Sequence, residues 1–268
     1  MKQVFTRVAV KIGSNVLTRR DGTLDVTRMS ALVDQIAELH KSGVEIILIS
    51  SGAVASGRSE VSPQKKLDSV DQRQLFSAVG QAKLINRYYE LFREHNIPVG
   101  QVLTTKESFG TRRHYLNQKN CMTVMLANGV IPIVNENDTV STYEMQFGDN
   151  DTLSAIVAAL IDADLLLLLS DIDGLFTDDP NSNPNAELIH VVEKLDDHLL
   201  KMGKSTSTSD VGTGGMASKL TAAKLASAAG TDMVIANGED FRNIHRVIEG
   251  QDCGTLFLSH KKDEFYLM

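Results

Sequence analysis

LLLLLSDIDGLF, Leu165 to Phe176, decides the fold of this chain. Five consecutive leucines offer no polar face to water, so a strand made of them has to be covered on both sides. A strand apolar on both faces belongs in the centre of a parallel sheet. Ser170, Asp171, Asp173 and Gly174 follow at once. In open parallel sheets ligands bind beyond the carboxyl ends of the strands, so this polar turn is a candidate ligand segment as well as a structured Asp/Gly turn.

Reading outward, apolar runs alternate with helical patterns in both directions, which predicts an α/β fold: a three-layer αβα sandwich with a mainly parallel central sheet. Strands are expected at Val8 to Ile12, Val44 to Ile49, Ile97 to Leu103, Val130 to Val134, Leu188 to Val192, Met233 to Ile235 and Thr255 to Leu258. Met29, Leu32, Val33, Ile36 and Leu39 keep helical spacing, as do Leu153, Ile156, Val157 and Leu160. Helices are also expected from about Asp68 to His95, over Leu116 to Ala127, near Leu195 and around Ile244 to Ile248. Thr177 to Asn185 reads as turns, Val140 to Phe147 as a hairpin, and Phe265 to Leu267 as an edge strand.

Composition narrows the function classes. With 42% hydrophobic and 23% charged residues the chain reads as an ordinary globular protein. A net charge of −7 with the signs interspersed, 5% aromatics and no Trp give neither a basic face nor a base-stacking surface, so no nucleic-acid partner is expected. Asp162 and Asp164 break the longest apolar stretch, so no membrane span is expected, and the expected location is cytoplasmic. Cys121 and Cys253 show no metal or disulfide spacing and are expected to be buried small hydrophobes.

The polar motifs follow apolar runs or open helices. Gly212 to Lys219, GTGGMASK, places three glycines before a helix. Glycine allows close backbone approach, and a helix start offers unpaired N–H groups and partial positive charge, which together suit a phosphate. A glycine-rich turn capping an ordinary helix explains the same letters, and neither GxxxxGK[ST] nor GxGxxG is present. Lys11-Ile12-Gly13-Ser14-Asn15 ends the first strand with a lysine, either a solvated edge residue or a charge aimed at phosphate. Ser50-Ser51-Gly52-Ala53 reads as an N-cap or as a set of anion donors. Asn135-Glu136-Asn137-Asp138 reads as a solvated loop or as acids for an amine or metal. Gly148-Asp149-Asn150-Asp151 opens a helix, and capping explains one of its acids. The apolar Leu175 and Phe176 could flank an adenine. No His joins these clusters, so hydrolytic triad chemistry is disfavoured. Two lysines, glycine turns and acidic loops are the equipment of phosphoryl transfer, where positioning and charge neutralisation supply most of the catalysis.

Taken in order, VKIGSNVLT, ISSGAVASG, Val79-Gly80-Gln81, PIVNENDTV, FGDNDTLSA, LLLLSDIDGLFTDDP and VGTGGMASKLTAA resemble the amino-acid kinase superfamily and, within it, the glutamate 5-kinase family. The resemblance covers about Val8 to Phe257. It implies phosphorylation of the γ-carboxylate of L-glutamate by ATP with Mg²⁺, the entry to proline synthesis. It matches Lys11 and Lys219 to the catalytic lysines and Asp151 to the aspartate that organises them. Ser51, Gly52, Asp138 and Asn150 match glutamate contacts. Lys11, Gly13, Ser170, Asp171 and the loop Thr213, Gly214, Gly215, Met216, Ala217, Ser218 and Lys219 match the ATP site. No protein metal ligand is assigned.

The resemblance further implies an amino-acid lobe over about 1–165 and an ATP lobe over about 166–268 of a single kinase domain. It also implies a homodimer or tetramer and feedback inhibition by proline. Many members carry a C-terminal PUA domain, which this chain is expected to lack while keeping a complete catalytic domain. The rival expectations are a superfamily kinase acting on acetylglutamate, aspartate, carbamate or a nucleoside monophosphate, and a non-catalytic nucleotide sensor.

Overall fold

The computed structural model describes residues 5–141, 149–196, 199–200 and 215–261. In chain order its elements are β1 (Arg7–Ile12), α1 (Ser14–Leu17), α2 (Val26–Lys41), β2 (Glu45–Ser50), α3 (Ala53–Arg58), α4 (Ser69–Glu94), β3 (Val99–Thr104), a 3-10 turn (Lys106–Phe109), α5 (Arg112–Ala127) and β4 (Ile131–Glu136). They continue with α6 (Asn150–Leu160), β5 (Leu165–Ser170), β6 (Val191–Val192), α7 (Met216–Ala229), β7 (Asp232–Asn237), α8 (Asn243–Ile248) and β8 (Thr255–Phe257). The fold class is the mainly parallel α/β sandwich that the leucine run predicts.

The chain divides into two compact units: Met1–Lys11 with Gly148–Leu267, and Ile12–Phe147. The division therefore differs from a cut near residue 165. β1 lies beside β5, and α6 packs on α7, so the start of the chain and the helix before the leucine strand belong with the later elements.

In the first unit the strands run β1-β5-β7-β8-β6. β5 pairs in parallel with β7, Leu165 opposite Asp232 and Ser170 opposite Asn237, which brings the ends of both strands to one edge. Every residue of β5 is buried, as a strand without a polar face requires. α6 buries Ala155, Ala158 and Ala159, and α7 buries Ala222, Ala223 and Ala226. Small side chains keep this helix pair close, so the first turns of α6 and α7 are fixed relative to each other. β8 is antiparallel to β7, and β6 keeps only Val191 and Val192 of the longer run expected there.

The second unit orders its strands β3-β4-β2, all parallel. Asp25 and Asp68 cap α2 and α4, each accepting from two backbone N–H groups of the first turn. α3 lies hard against α4. A Cβ on Gly80 would sit 1.7 Å from the carbonyl oxygen of Ala53, and one on Gly57 1.8 Å from that of Phe76. Only glycine at both positions lets the two backbones meet.

Other expectations fare unevenly. Cys121 is exposed and Cys253 is half-buried, contrary to the expectation that both are core residues. Cys121 lies on α5, which buries only Met122 and Leu126. The hairpin at Val140 to Phe147, the helix near Leu195 and the strand at Phe265 to Leu267 lie largely or wholly outside the described residues. Among the described residues no helix is long and apolar enough to cross a membrane.

Gly80→Ala is expected to destabilise the second unit by about 1–3 kcal/mol or more, the range for overpacking against unyielding backbone. Chemical denaturation checks this, and a variant as stable as the parent would contradict the close α3–α4 crossing.

Candidate active site

Within the first unit, three elements converge on one carboxylate. Asp151 stands in the first turn of α6 and is fully buried. Its neighbour Asp149 takes the capping role, accepting from Thr152 N–H at 2.7 Å, which frees Asp151 to point inward. Lys11, near the end of β1, donates from Nζ to Asp151 Oδ1 at 2.5 Å. Lys219, in the first turn of α7, donates from Nζ to Oδ2 at 3.2 Å. Ser218 Oγ lies 2.8 Å from the same Oδ2 and 2.7 Å from the carbonyl of Gly215. Both lysines are themselves buried, at 6% and 4% exposure, so neither is a solvated edge residue.

The electrostatics follow from this crowding. Burial pushes the Asp151 carboxyl up, but the ammonium groups of Lys11 and Lys219, with the hydrogen bonds from Lys11 and Ser218, outweigh it and hold the group below the usual carboxylate range. Asp149 moves the other way: burial, reinforced by the nearby charge of Asp151, pushes its carboxyl up despite the bonds from Thr152. One of two neighbouring acids is thus kept ionised by cations while the other is penalised by burial.

The same unit gathers further polar groups where β5 and β7 end. Ser170 Oγ donates to Asp171 Oδ1 at 3.1 Å, and Gly238 N–H donates to the Ser170 carbonyl at 2.7 Å. Asn237 Nδ2 donates to Asp173 Oδ1 at 2.7 Å. Asn237 has no motif of its own in the sequence; its place opposite Ser170 in the ladder is what brings it here. Gly215 is the N-cap of α7 in an extended conformation and offers no side-chain cap; Ser218 and Lys219 N–H reach its carbonyl at 3.1 and 3.4 Å, while Met216 and Ala217 begin the helix with backbone donors that have no helical acceptor. Thr213 and Gly214 lie outside the described residues. Leu175 is a core residue whose N–H donates to Thr255 Oγ1, and Phe176 bridges to Leu188.

The second unit holds another polar cluster where β2 and β4 end. Gly52 is the N-cap of α3 at φ +107°, a conformation that favours glycine, and Ser51 N–H reaches the Ile12 carbonyl at 3.4 Å. Gly13, at the start of the same unit, caps α1 in an extended conformation. At the end of β4 and just beyond it, the buried Glu136 and Asp138 share Arg73 of α4. Its Nε and Nη2 lie 2.7 and 2.6 Å from Asp138 Oδ1, and Nη2 lies 3.3 Å from Glu136 Oε2. Burial pushes the Asp138 carboxyl up, and the Arg73 guanidinium opposes this without cancelling it. Asn135 Nδ2 donates to Gln81 Oε1, and Gln81 Nε2 to Gln101 Oε1, so a chain of amides ties α4 to β4 and β3. Arg73 escapes a reading of the sequence, because one arginine in a polar helix start resembles a solvated face. Asn150 begins α6 in the first unit, half-buried.

A centre with two fixed ammonium groups beside a glycine-capped helix start and, among the described residues, no histidine suits the oxygens of a phosphoryl group. Comparison with known proteins agrees. The amino acid kinase family profile matches residues 6–237. A glutamate 5-kinase of Bacteroides thetaiotaomicron is 68% identical over 89% of this chain and 66% of its own length. One from Clostridium acetobutylicum is 43% identical over 96% of both chains. Among solved structures, a carbamate kinase from Giardia lamblia bound to AMP-PNP covers 97% of this chain at TM-score 0.67 and 16% identity, with all of its own chain matched. The UMP kinase of Bacillus anthracis covers 96%, and 97% of its own chain, at TM-score 0.64 and 18% identity; at such identities these likenesses speak for the fold alone. The chain belongs to the amino acid kinase family and, within it, to the glutamate 5-kinases. It spans about two thirds of the Bacteroides relative and nearly all of the Clostridium one.

Asp151→Asn removes the charge that both buried lysines face, and breaking a buried pair costs about 3–5 kcal/mol. Because the folded-state carboxyl is held below its ordinary value of 3.8, its stabilisation is complete above that pH and is lost as pH falls through the lower folded value. Denaturation of both proteins between neutral and strongly acidic pH should therefore give a large stability gap that closes in acid. A gap below about 1 kcal/mol at neutral pH would show that the lysines do not depend on Asp151.

Proposed function

We propose that this chain transfers the γ-phosphoryl group of ATP to the γ-carboxylate of L-glutamate, giving L-glutamyl 5-phosphate and ADP, the first step of proline biosynthesis. The observation that carries this reading is Asp151 held between Lys11 and Lys219 in buried surroundings. A carboxylate acceptor, with an ordinary pKa near 4.3, is already ionised at neutral pH and needs no general base. Its oxygen attacks the γ-phosphorus while the bond from that phosphorus to the β-bridging oxygen breaks and ADP leaves. The obstacle is bringing one anion onto a polyanion. Lys11 and Lys219 would lower it by neutralising charge on the transferring group, and Asp151 would keep both in register as charge shifts.

In this reading Ser170, Asp171, Gly13 and the loop Thr213 to Lys219 take ATP, and Ser51, Gly52, Asp138 and Asn150 take glutamate. Magnesium, which the family resemblance implies, would enter with the nucleotide. It typically binds through substrate phosphates and one or two carboxylates, and keeps several of its waters. Asp149, beside Lys11, is a carboxylate of that kind; among the described residues no group of three or more His, Cys, Asp or Glu forms a metal cage. Inhibition by proline, a homodimer or tetramer and a cytoplasmic location belong to the same proposal and rest on the family resemblance.

The second unit favours glutamate over its acetylated form. Glu136 and Asp138 with Arg73 carry one net negative charge when both acids are ionised, which suits a free α-ammonium and not a neutral acetamide.

Lys219→Ala and Lys11→Ala are each expected to lower turnover by about 10²–10³-fold, the scale for one lost charge-stabilising donor. The assay is ATP-dependent glutamyl hydroxamate formation, run with and without proline. Near-normal turnover in Lys219→Ala would refute the mechanism. In a substrate panel followed by ADP release, N-acetylglutamate should be at least about 100-fold poorer than glutamate, since it leaves a buried acid without its partner. Equal rates would favour an acetylglutamate kinase.

A further inference from the structure

Arg73 is placed with unusual care for an exposed helix start. Asp68 fixes the first turn of α4 through Val70 and Asp71 N–H. Gln72 Nε2 donates back to the Leu67 carbonyl, and Gln74 Nε2 donates forward to the carbonyl of Thr139, the residue after Asp138. The helix start is therefore tied to the segment before it by Gln72 and to the loop after β4 by Gln74, the residues on either side of Arg73. The guanidinium directs both Nε and Nη2 at one oxygen, Asp138 Oδ1, and only then reaches Glu136. Among the described residues Asp138 Oδ2 accepts no hydrogen bond. The Asp138 side chain is 9% exposed and that of Arg73 29%, so the pair sits at the rim of the cluster and not sealed in the core.

We infer that Arg73 is a positioning residue for substrate: by taking Oδ1 of Asp138 it fixes the carboxylate plane and presents Oδ2 to the α-ammonium of the acceptor amino acid. This rests on the glutamate kinase reading above. The planar fork matters, because a lysine ammonium would supply charge without two fixed donors on one oxygen. Arg73 touches neither phosphoryl group nor nucleotide in this scheme, so its removal acts on glutamate binding and spares the chemical step. Among the described residues the charged group that acts on Asp138 is Arg73 of α4, which also reaches Glu136 of β4. Arg73 favours the ionised form of Asp138 against burial, so without it the acid form persists to higher pH.

The test compares wild type, Arg73→Lys and Arg73→Met by ADP release, with thermal melts to verify folding. Arg73→Met should raise KM for glutamate by at least about tenfold while kcat and KM for ATP stay within about threefold, the pattern for lost uniform binding. Arg73→Lys should fall between. The acid limb of kcat/KM for glutamate should move to higher pH in Arg73→Met, which a merely structural role would not cause. An active wild type with unchanged KM and acid limb in Arg73→Met overturns the inference alone, as does a fall in all parameters together with a lowered melting temperature in both variants. A wild type without glutamate-dependent ADP release overturns the inference and the kinase reading together.

Discussion

A single carboxylate, Asp151, organises the first unit, because two buried ammonium groups cannot be left facing each other without it. Charges taken out of water cost several kcal/mol each unless geometry and hydrogen bonds compensate. Here the compensation is specific: each oxygen of Asp151 serves a different lysine, and Ser218 adds a third contact. The fold exists in the form it does partly to hold these groups still. β1 delivers Lys11, the alanine-lined pair of α6 and α7 sets the spacing between Asp151 and Lys219, and the leucine strand β5 anchors the sheet beneath them. Preorganised charge of this kind needs no rearrangement at the moment of reaction, which is why it is effective in catalysis.

The second unit obeys a different rule. Its polar cluster pairs acids with a guanidinium, and a chain of amides ties α4 to β4 and β3, so in the proposed reaction it would serve recognition and not charge neutralisation. Burial works against Asp138 while Arg73 supports it, leaving the group responsive to whatever cation approaches. The glycine crossing of α3 and α4 serves the same end, since a loosely packed α4 could not keep Arg73 in place. In the proposed reaction, acceptor identity and phosphoryl chemistry would thus rest on separate sets of residues.

Much of the fold could be read from the chain. The leucine run has no face for water, and the strands and helices around it follow plain periodicity. Their ends shift by one or a few residues where caps such as Asp149 and Thr111 decide the boundary. The lysine centre was legible through its motifs, yet nothing local announces that Lys11 meets Asp151 across 140 residues or that Lys219 does so across 68. Arg73 was illegible because its meaning lies in Asp138, 65 residues away, and a lone arginine in DQRQ carries no period or spacing. Asn237 is similar: its role comes from strand register. Cys121 misled for the opposite reason, since the general tendency of cysteine to be buried lost to an amphipathic helix that turns it outward.

The most direct measurement is a crystal structure with a non-hydrolysable ATP analogue and glutamate. Both lysine Nζ atoms should lie within about 3.2 Å of oxygens of the terminal phosphoryl group, with Asp151 still bridging them. A terminal phosphoryl group bound away from either lysine, or Asp151 turned out of the pair, would contradict the account.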